Sequence, residues 1–389
     1  MMSPKKAENL KYIKLLSAQA SKTGKLVCGD VFLSERTVEA TTVILCDGVG
    51  SGIKANLAAT MCAGRIKELL RLDFSLRDVC AKVVNTMHKA RTEDIPFSAF
   101  SIARVRKDGY TTVVTYEMPA PVFIQNSVAY VSKPRFITLG SEVVGELQFM
   151  IQPDDAILLV SDGISQAGMG QTFKLGWTVE KACAYINSCL NNGFRLKDVP
   201  DELINYCRKV SCNSLGDDTS VAVLQCRDAA QIHVLTGPAA DRDKDTETVN
   251  EFSRQDGVKV VCGSTTAEIC GRVLGRQVRI RELSQAYYQP PQYEIDGFDL
   301  VTEGAITLNQ VYNIIDTQDQ CVNASSSVFA FRDKLLEADY IDFWVGAAVN
   351  NGHEDVIFRQ MHILPRRKVV DALADKLRVI GKLVTVRMI

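Results

Sequence analysis

The chain has 389 residues, of which 46% are hydrophobic and 23% are charged, and its formal net charge at pH 7 is −1. This length allows two domains, and the composition is ordinary for a globular protein. Because charges of both signs are interspersed, the sequence creates no strong field for nucleic acid or anionic lipid, and we expect neither as a principal partner.

The twelve cysteines are scattered along the chain without a Cys-x-x-Cys pair. Buried reduced thiols are therefore expected, and not disulfides or zinc ligands. No apolar run reaches the roughly 18 residues that cross a bilayer, and we predict no signal peptide at the start of the sequence. We expect a cytoplasmic protein that does not bind membranes.

The first predicted elements are an N-terminal segment, two strands and two helices. Residues 1–22 are rich in lysine and predict a short helix or an extended arm packed on the domain. Strands are predicted at 25–32 and 41–45, followed by amphipathic helices over 54–71 and 75–91. On the first helix, Leu57, Ala58, Met61, Cys62, Ile66, Leu69 and Leu70 are predicted to share one side.

The next predicted elements are six strands, two helices and a further strand. They are strands at 100–106, 110–116, 122–125, 127–131, 136–139 and 156–160, helices at 178–189 and 197–212, and a strand at 220–226. This order is typical of an α+β arrangement in which helices cover antiparallel sheets.

Residues 227–231 predict a domain boundary, which gives domains 1–228 and 231–389. In the second domain, predicted strands and helices alternate strictly at first, with strands at 232–235, 258–262 and 278–280 and helices at 243–254 and 265–274. They are followed by strands at 298–301, 340–345 and 383–386 and helices at 307–315, 331–336 and 365–380. We therefore expect an α/β domain with a parallel or mixed sheet.

Two turns of the second domain, 262–266 and 301–305, have the pattern of a strand that leads into a helix. Their backbone N–H groups are candidates to hold an anion, as in a sensor for a small molecule or phosphorylated ligand. Ordinary helix caps explain the same pattern.

Aspartates stand at the ends of four apolar strand runs of the first domain. Asp30 and Asp162 each follow such a run, Asp217 and Asp218 precede another, and Asp47 opens a glycine-rich turn. Carboxylates gathered at an apolar core are costly unless cations neutralise them. Oxygen ligands select Mg²⁺ or Mn²⁺ over zinc. Two such ions that share a carboxylate activate a water for attack on phosphorus, so the pattern predicts phosphate ester hydrolysis.

The glycine-rich turn at 47–52 has two other interpretations when it is considered alone. One is an ordinary turn between a strand and a helix, with Ser51 near the helix start. The other is a nucleotide-phosphate cradle at 50–55, which lacks the Gly-Lys-Ser/Thr ending of a P-loop.

The four motifs resemble those of the PPM metal-dependent serine/threonine phosphatases, and specifically their bacterial SpoIIE-like branch, over residues 24–226. They are Gly29-Asp30, Asp47-Gly48-Val49-Gly50-Ser51-Gly52, Ser161-Asp162-Gly163 and Gly216-Asp217-Asp218-Thr219-Ser220. The resemblance implies an α-β-β-α sandwich with two Mn²⁺ or Mg²⁺ ions between two antiparallel sheets.

The resemblance also implies roles for individual residues. Asp47 corresponds to the carboxylate that bridges both ions, and the carbonyl of Gly48 to a ligand of the second. Asp162 and Asp217 correspond to ligands of the first ion. Asp30 corresponds to a ligand or to an acid that orients the water.

Four further positions complete the comparison with the family. Asp218 is expected to contact the metal ligands without binding a metal ion itself. Val49 stands where the eukaryotic enzymes have a histidine, so no general acid is assigned there. Lys22 and Lys25 are candidates to bind the phosphate in place of the eukaryotic arginine.

The implied substrate is phosphoserine or phosphothreonine on a regulatory protein, such as a STAS-type anti-anti-sigma factor. Helices 54–71 and 75–91 occupy the place of the switch that controls metal occupancy in this branch. We therefore predict that a partner or a second copy binds these helices, and that Met61 and Leu69 influence the metal requirement. The alternative is a phosphatase-fold scaffold or sensor that binds a partner or small ligand through the second domain.

Overall fold

The computed structural model describes residues 10–93, 95–282, 291–317, 326–348 and 363–389. The chain divides into two compact units, with the division between Asp228 and Ala229. None of the helices within the described residues is long and apolar enough to cross a bilayer.

The first unit contains two antiparallel sheets, and helices connect some of their strands along the chain. Its strands are β1 (Lys11–Ala20), β2 (Asp30–Arg36), β3 (Ala40–Gly48), β4 (Ser98–Arg106), β5 (Tyr110–Tyr116), β6 (Val122–Gln125), β7 (Val128–Val131), β8 (Arg135–Leu139), β9 (Glu142–Met150), β10 (Ala156–Val160) and β11 (Thr219–Asp228). Its helices are α1 (Ile53–Arg71), α2 (Leu76–Thr92), α3 (Asp162–Ser165), α4 (Val179–Asn191) and α5 (Val199–Val210).

These elements form four layers. One sheet has the order β1-β11-β10-β6-β7, and the other has the order β2-β3-β4-β5-β9-β8. Helices α1 and α2 pack on the second sheet, and α4 and α5 pack on the first. A third apolar core, which includes Val43, Leu45 and Leu159, fills the space between the sheets. The predicted α-β-β-α sandwich is confirmed.

Alternation along the central strands decides which residues enter the space between the sheets. On β3, Val43 and Leu45 belong to the core between the sheets, whereas Ile44 and Cys46 pack under the helices. Because strand side chains alternate with a period of two, Asp47 lies on the same face as Val43 and Leu45. It therefore projects toward the second sheet at the end of β3.

The structure differs from the predicted elements at several places. Residues 25–29 are not a strand, and Asp30 begins β2 where the sequence pattern placed it after a strand. Of the lysine-rich segment, residues 1–9 lie outside the described residues and Lys11–Ala20 form strand β1, paired along its length with β11, so the extended arm and not the short helix is found there. Helix α3 and, in the second unit, strand β15 (Gln292–Glu294) were not predicted. Strand β9 was missed because Gly145 interrupts its apolar pattern. A Cβ at Gly145 would lie 2.9 Å from the ring of Pro134, which explains the glycine.

The prediction that Leu57 and Met61 share the packed side of α1 with Leu69 was also wrong. Leu69 is 3% exposed, but Leu57 is 58% and Met61 is 68% exposed. The buried stripe of α1 passes through the neighbouring Cys62 and Ile66, and one residue of a helix turns the side chain by about 100°.

The second unit is built on one mixed sheet. Its strands are β12 (Gln231–Thr236), β13 (Val258–Cys262), β14 (Arg279–Glu282), β15 (Gln292–Glu294), β16 (Leu300–Thr302), β17 (Tyr340–Val345) and β18 (Leu383–Met388). Its helices are α6 (Asp245–Ser253), α7 (Ser264–Leu274), α8 (Ala305–Ile314), α9 (Ser327–Glu337) and α10 (Arg366–Val379). The order is β14-β15-β16-β13-β12-β17-β18, and the strands from β16 to β18 are parallel.

The parallel strands of this sheet are doubly wound. Numbered along the chain, they have the order 3-2-1-4-5, with β12 first and β17 fourth. Helices α6 and α7 pack on one face, and α8, α9 and α10 pack on the other. The predicted α/β domain with alternating strands and helices is confirmed.

A buried polar network joins three of these parallel strands. The carboxylate of Asp342, which is fully buried, accepts hydrogen bonds from Thr385 (2.6 Å), Trp344 (2.7 Å) and Arg387 (2.6 Å) and lies 3.3 Å from His233. Burial alone would raise the pKa of Asp342, but bonds from His233, Thr385 and Arg387 hold it below its usual value. The network fixes the register of β12, β17 and β18.

Candidate metal centre

Asp30 and Asp47 are neighbours on the sheet that carries α1 and α2. They are directly opposed in the antiparallel pair of β2 and β3, so their side chains lie on the same face. Asp30 is 3% exposed, and the hydroxyl of Ser98 donates to the carbonyl of Asp47 at 2.9 Å. The two carboxylates therefore sit together at one end of the sheet.

Two further acids come from the opposite sheet. Asp162 is the first residue of α3, directly after β10, and Asp217 precedes β11, which pairs with β10. The side chains of Asp47 and Asp162 lie close enough to shift each other's pKa, since Asp162 raises the pKa of Asp47 and Asp47 opposes the rise in the pKa of Asp162. Gln166 donates to the other side of Asp162 at 2.7 Å. Acids of both sheets thus meet at one end of the sandwich.

The electrostatics of this cluster favour protonation. Burial, followed by the charges of Asp30, Asp162 and Asp217, raises the pKa of Asp47 to about 9. Burial also raises the pKa of Asp30 to about 6, and it raises the pKa values of Asp162 and Asp217. Buried carboxylates with raised pKa values gain from a nearby cation.

Several carboxylate oxygens of the cluster lack a partner. Both oxygens of Asp30 and Oδ2 of Asp218 are buried and accept no hydrogen bond from the described residues. The hydroxyls of Ser161 and Ser220 lie close enough to oppose the rise in the pKa of Asp30, but neither completes a hydrogen bond to it. Buried polar atoms are normally satisfied, so these oxygens have capacity for a ligand.

The donor set fits a hard divalent cation. Carboxylate and carbonyl oxygens are the ligands that Mg²⁺ and Mn²⁺ prefer. Over the described residues, no three histidine, cysteine or acidic side chains already converge as a metal cage. The fit therefore rests on the unpaired oxygens and on the raised pKa values.

Glycines allow the close packing that builds the cluster. A Cβ at Gly48 would lie 1.9 Å from the carbonyl oxygen of Ala55, and a Cβ at Gly163 would lie 2.1 Å from that of Asp218. No side chain can occupy either position without moving α1 from β3 or α3 from β11. In the turn, Gly50 and Gly52 have φ values of +103° and +74°, which favour glycine.

The two candidate lysines lie at the rim of this cluster. The backbone N–H of Lys22 donates to Oδ1 of Asp218 at 2.9 Å, and the Lys22 charge lowers the pKa of Asp217 against the effect of burial. The side chain of Lys25 passes Gly52, with its Cδ 3.6 Å from the position that a Cβ would take there. Val49 is 50% exposed and carries no titratable group.

The candidate switch residues lie away from the acids. Leu69 is buried near the far end of α1, and Met61 is on the exposed side of the same helix. At 1.5 Å per residue, Leu69 is about 24 Å along the helix from Ile53. Any influence on the acids would have to pass through the packing of α1 on β3.

Three amide side chains support the cluster and were missed from the sequence. Gln19 donates to the carbonyl of Asp30 (3.3 Å) and to Ser220 (3.0 Å), and Asn56 donates to the carbonyl of Cys28 (2.9 Å). The third is Gln166. Its position four residues after Asp162 was a usable signal, but Gln19 and Asn56 act through contacts distant in sequence.

Comparison with known proteins identifies the first unit. Residues 37–227 match the family model for stage II sporulation protein E (SpoIIE). No curated protein matches the chain. Among solved structures, the PP2C phosphatase domain of Bacillus subtilis SpoIIE with a regulatory fragment is 14% identical with a TM-score of 0.48. That match covers 57% of this chain and 64% of the other, which is less than two thirds of its length.

Two other solved structures are also similar to this chain. The RsbU and RsbW domains of a Mycobacterium tuberculosis protein are 13% identical, with a TM-score of 0.48 and coverage of 63% of this chain and 68% of theirs. RsbX in complex with magnesium is 16% identical, with a TM-score of 0.41 and coverage of 58% of this chain and all of its own.

The first unit has the α-β-β-α sandwich that the resemblance implied. Its residues 37–227 match the SpoIIE family model, so the resemblance seen in the sequence is confirmed.

The packing at Gly48 yields a first prediction. The variant G48A should be destabilised by at least about 1–3 kcal/mol, because its methyl group overlaps the Ala55 carbonyl. Urea unfolding followed by Trp177 fluorescence in a W344F background measures this. The control G64A, at an open position of α1, should be unchanged or more stable by about 0.5–1 kcal/mol. Equal midpoints for G48A and wild type would contradict the steric argument.

The raised pKa values of Asp30 and Asp47 yield a second prediction. A group whose pKa is higher in the folded protein stabilises it most at low pH, so this stability is lost as pH rises toward about 6 for Asp30 and about 9 for Asp47. In EDTA, wild type should lose more stability than D47N between pH 5 and 9. Stabilisation by Mn²⁺ should grow over the same interval.

The same unfolding measurement across a pH series tests this linkage. The variant D201N, on an exposed part of α5, controls for the loss of one negative charge and should follow the wild type. Parallel curves for wild type and D47N would show that Asp47 does not carry the effect.

Proposed function

We propose that the first unit is a metal-dependent phosphatase that hydrolyses phosphoserine or phosphothreonine on a regulatory protein. The observation that carries this proposal is the meeting of Asp47 with Asp162, from opposite sheets, beside Asp30 with its two unpaired buried oxygens. The SpoIIE family match agrees with phosphatase chemistry in general. Hydrolysis would consume one water and release inorganic phosphate and the free hydroxyl.

We assign the metal-binding roles as follows. Asp47, the Gly48 carbonyl, Asp162 and Asp217 would hold two Mn²⁺ or Mg²⁺ ions, with Asp47 as the shared ligand that the resemblance implies, the Gly48 carbonyl on one ion, and Asp162 and Asp217 on the other. When bound, such ions lower the pKa of a water and neutralise charge on the phosphate. Asp30, at the base of the cluster, is a further ligand or orients the attacking water.

The surrounding side chains position these ligands and the substrate. Gln166, through its bond to Asp162, fixes the rotamer of that carboxylate. Asp218 holds the backbone of Lys22 and thereby the segment that carries both lysines. The lysines are candidates to bind the phosphate oxygens. A cavity of about 210 Å³ beside Asp217 and Gln166 offers space for the residue that carries the phosphate.

The regulatory setting is proposed from the resemblance alone. A STAS-type anti-anti-sigma factor is a suitable phosphorylated substrate, and a cytoplasmic location in a bacterial signalling pathway is consistent with it. The net charge of −1 supports neither nucleic acid nor membrane as a partner. The second unit is proposed as a sensor or docking domain.

A phosphatase assay tests the proposal directly. With Mn²⁺ or Mg²⁺, the full chain should hydrolyse p-nitrophenyl phosphate and a phosphoserine peptide, and EDTA should abolish the activity. The variants D47N and D162N should lose about 100-fold or more in kcat/KM, the scale expected when charge stabilisation of a transition state is removed. D201N should retain wild-type activity.

The alternative of a non-catalytic scaffold makes the opposite prediction. Wild type would then show no metal-dependent turnover on either substrate, even where Mn²⁺ binding at Asp47 raises its melting temperature. That result would overturn the phosphatase proposal and favour a binding role.

We also propose that α1 and α2 regulate the centre through association with a partner or a second copy. A groove of about 690 Å³ between them is lined mainly by apolar side chains, including Met61, Met87, Ile95 and Phe97. Because Met61 is exposed, it is available to contact a partner. Because Leu69 is buried, it can relay a movement of α1 to β3 and hence to the acids.

Two variants distinguish binding of a partner at α1 from the effect of α1 packing on the metal centre. L69A should weaken the packing of α1 and raise the Mn²⁺ concentration needed for half-maximal activity by several-fold, since a buried Leu→Ala change costs about 2–5 kcal/mol. M61E should reduce self-association measured by light scattering, and it should change that Mn²⁺ concentration only at protein concentrations at which the wild type associates. An unchanged metal requirement in L69A would contradict the switch.

A further inference from the structure

The second unit contains a cavity of about 710 Å³ that the phosphatase chemistry does not use. We propose that it binds a small organic phosphate that also carries hydroxyl groups, such as a nucleoside monophosphate or a sugar phosphate. The inference is independent of the proposed function of the first unit. It rests on where the cavity lies in the sheet, on the arginines that line it and on its size.

The cavity lies at the point where the winding of the sheet reverses. Pro238 and Ala239 follow β12, Ala348 follows β17, and Arg366 begins the helix between β17 and β18. The helices after β12 and the helix after β17 cover opposite faces. In open parallel sheets, this divergence leaves a crevice at the carboxyl ends of the strands, and ligands bind there.

Three arginines and two acids line the cavity. They are Arg242, Arg272, Arg366, Asp245 and Glu268. Within the described part of the chain, no ion pair joins any two of these five side chains. The lining therefore has an excess of one positive charge, and its guanidinium groups are not consumed by neighbouring carboxylates. Guanidinium groups bind phosphate oxygens through paired N–H donors.

The backbone around Arg366 makes room for its guanidinium group. Gly237 has a φ of +84°, which favours glycine, and a Cβ there would lie 1.9 Å from Nη1 of Arg366, so a side chain at this position would displace the guanidinium group. Nη1 donates to the carbonyl of Gly346 at 3.3 Å. A Cβ at Gly346 would in turn lie 2.0 Å from the carbonyl oxygen of Pro238. The two glycines thus hold a cation in the wall of the cavity.

This cation is only partly hydrated. Burial lowers the pKa of Arg366, although an arginine remains protonated in proteins. A partly buried charge without a carboxylate partner is costly. An anionic group in the cavity would remove that cost.

Helix α7 adds donors to the same wall. It has eleven residues, begins at Ser264 after Gly263 (φ +134°), and has no side-chain cap. Thr265, Glu268 and Ile269 of this helix line the cavity. The uncapped N–H groups of a first turn favour an anion, so the helix start and the arginines point to the same ligand chemistry.

Size and the remaining polar groups narrow the class of ligand. Cavities that bind small molecules typically have volumes of about 300–1,000 Å³. Asp245 and Glu268 can accept hydrogen bonds from hydroxyl groups, which an inorganic ion would not use. The turn after β12 reads Gly237-Pro238-Ala239-Ala240 and lacks the G-x-G-x-x-G pattern of dinucleotide sites. A molecule with a single phosphate fits this lining better than a dinucleotide.

Calorimetry on the full chain in EDTA tests the proposal without phosphatase turnover. The probes are AMP, ribose 5-phosphate and inorganic phosphate. At least one organic phosphate should bind with a Kd below about 1 mM, and more tightly than inorganic phosphate. R366Q and the exposed R272Q should each weaken binding about tenfold or more. The control R254Q, at the C-terminal end of α6, should bind as wild type does.

Three outcomes would overturn the proposal. They are the absence of binding by both organic probes at about 5 mM, wild-type affinity in both R366Q and R272Q, and a loss of binding in D47N, which would place the ligand in the first unit. Trp344 fluorescence verifies that R366Q is folded, and R272Q gives an answer if it is not. Preference for AMP or for ribose 5-phosphate distinguishes a nucleotide ligand from a sugar phosphate.

Discussion

Repulsion among buried carboxylates is the constraint on which the first unit depends. Asp30 and Asp47 come from one sheet, Asp162 and Asp217 from the other, and all four have raised pKa values because burial penalises their charged forms. Such an arrangement is unfavourable for packing alone. It is favourable where a cation or a shared proton offsets the charge, so the energetic cost of the cluster is itself the argument for metal chemistry.

Very close backbone contacts hold the four acids in place despite that energetic cost. Gly48 lets α1 approach the end of β3, and Gly163 lets α3 approach β11. These contacts leave no space for a methyl group, so the acids are held by the backbone and not by flexible side chains. The same contacts couple the position of α1 to that of Asp47, which gives a physical route from the surface of α1 to the centre.

The second unit also holds a charged group in a partly buried position, but there the charge is the positive charge of Arg366. The network around Asp342 ties β12, β17 and β18 together, and this rigid sheet supports a crevice where Arg366 is partly buried. Among the described residues, Asp30 has two buried oxygens without a hydrogen bond and Arg366 is partly buried without an ion pair. In both units, such a group favours the binding of a ligand that compensates it.

The sequence by itself determined the fold class of both units, most strand and helix positions, and the motifs that carry the SpoIIE resemblance, because these depend on local periodicity and on short ordered patterns. It did not determine that Asp30 begins a strand, that Gly145 lies within one, or that Met61 is exposed. Only the tertiary structure decided these points, together with the roles of Gln19 and Asn56 and the gathering of arginines around one crevice. The physical reason is that burial and pairing are set by contacts between residues distant in the chain, which local periodicity does not encode.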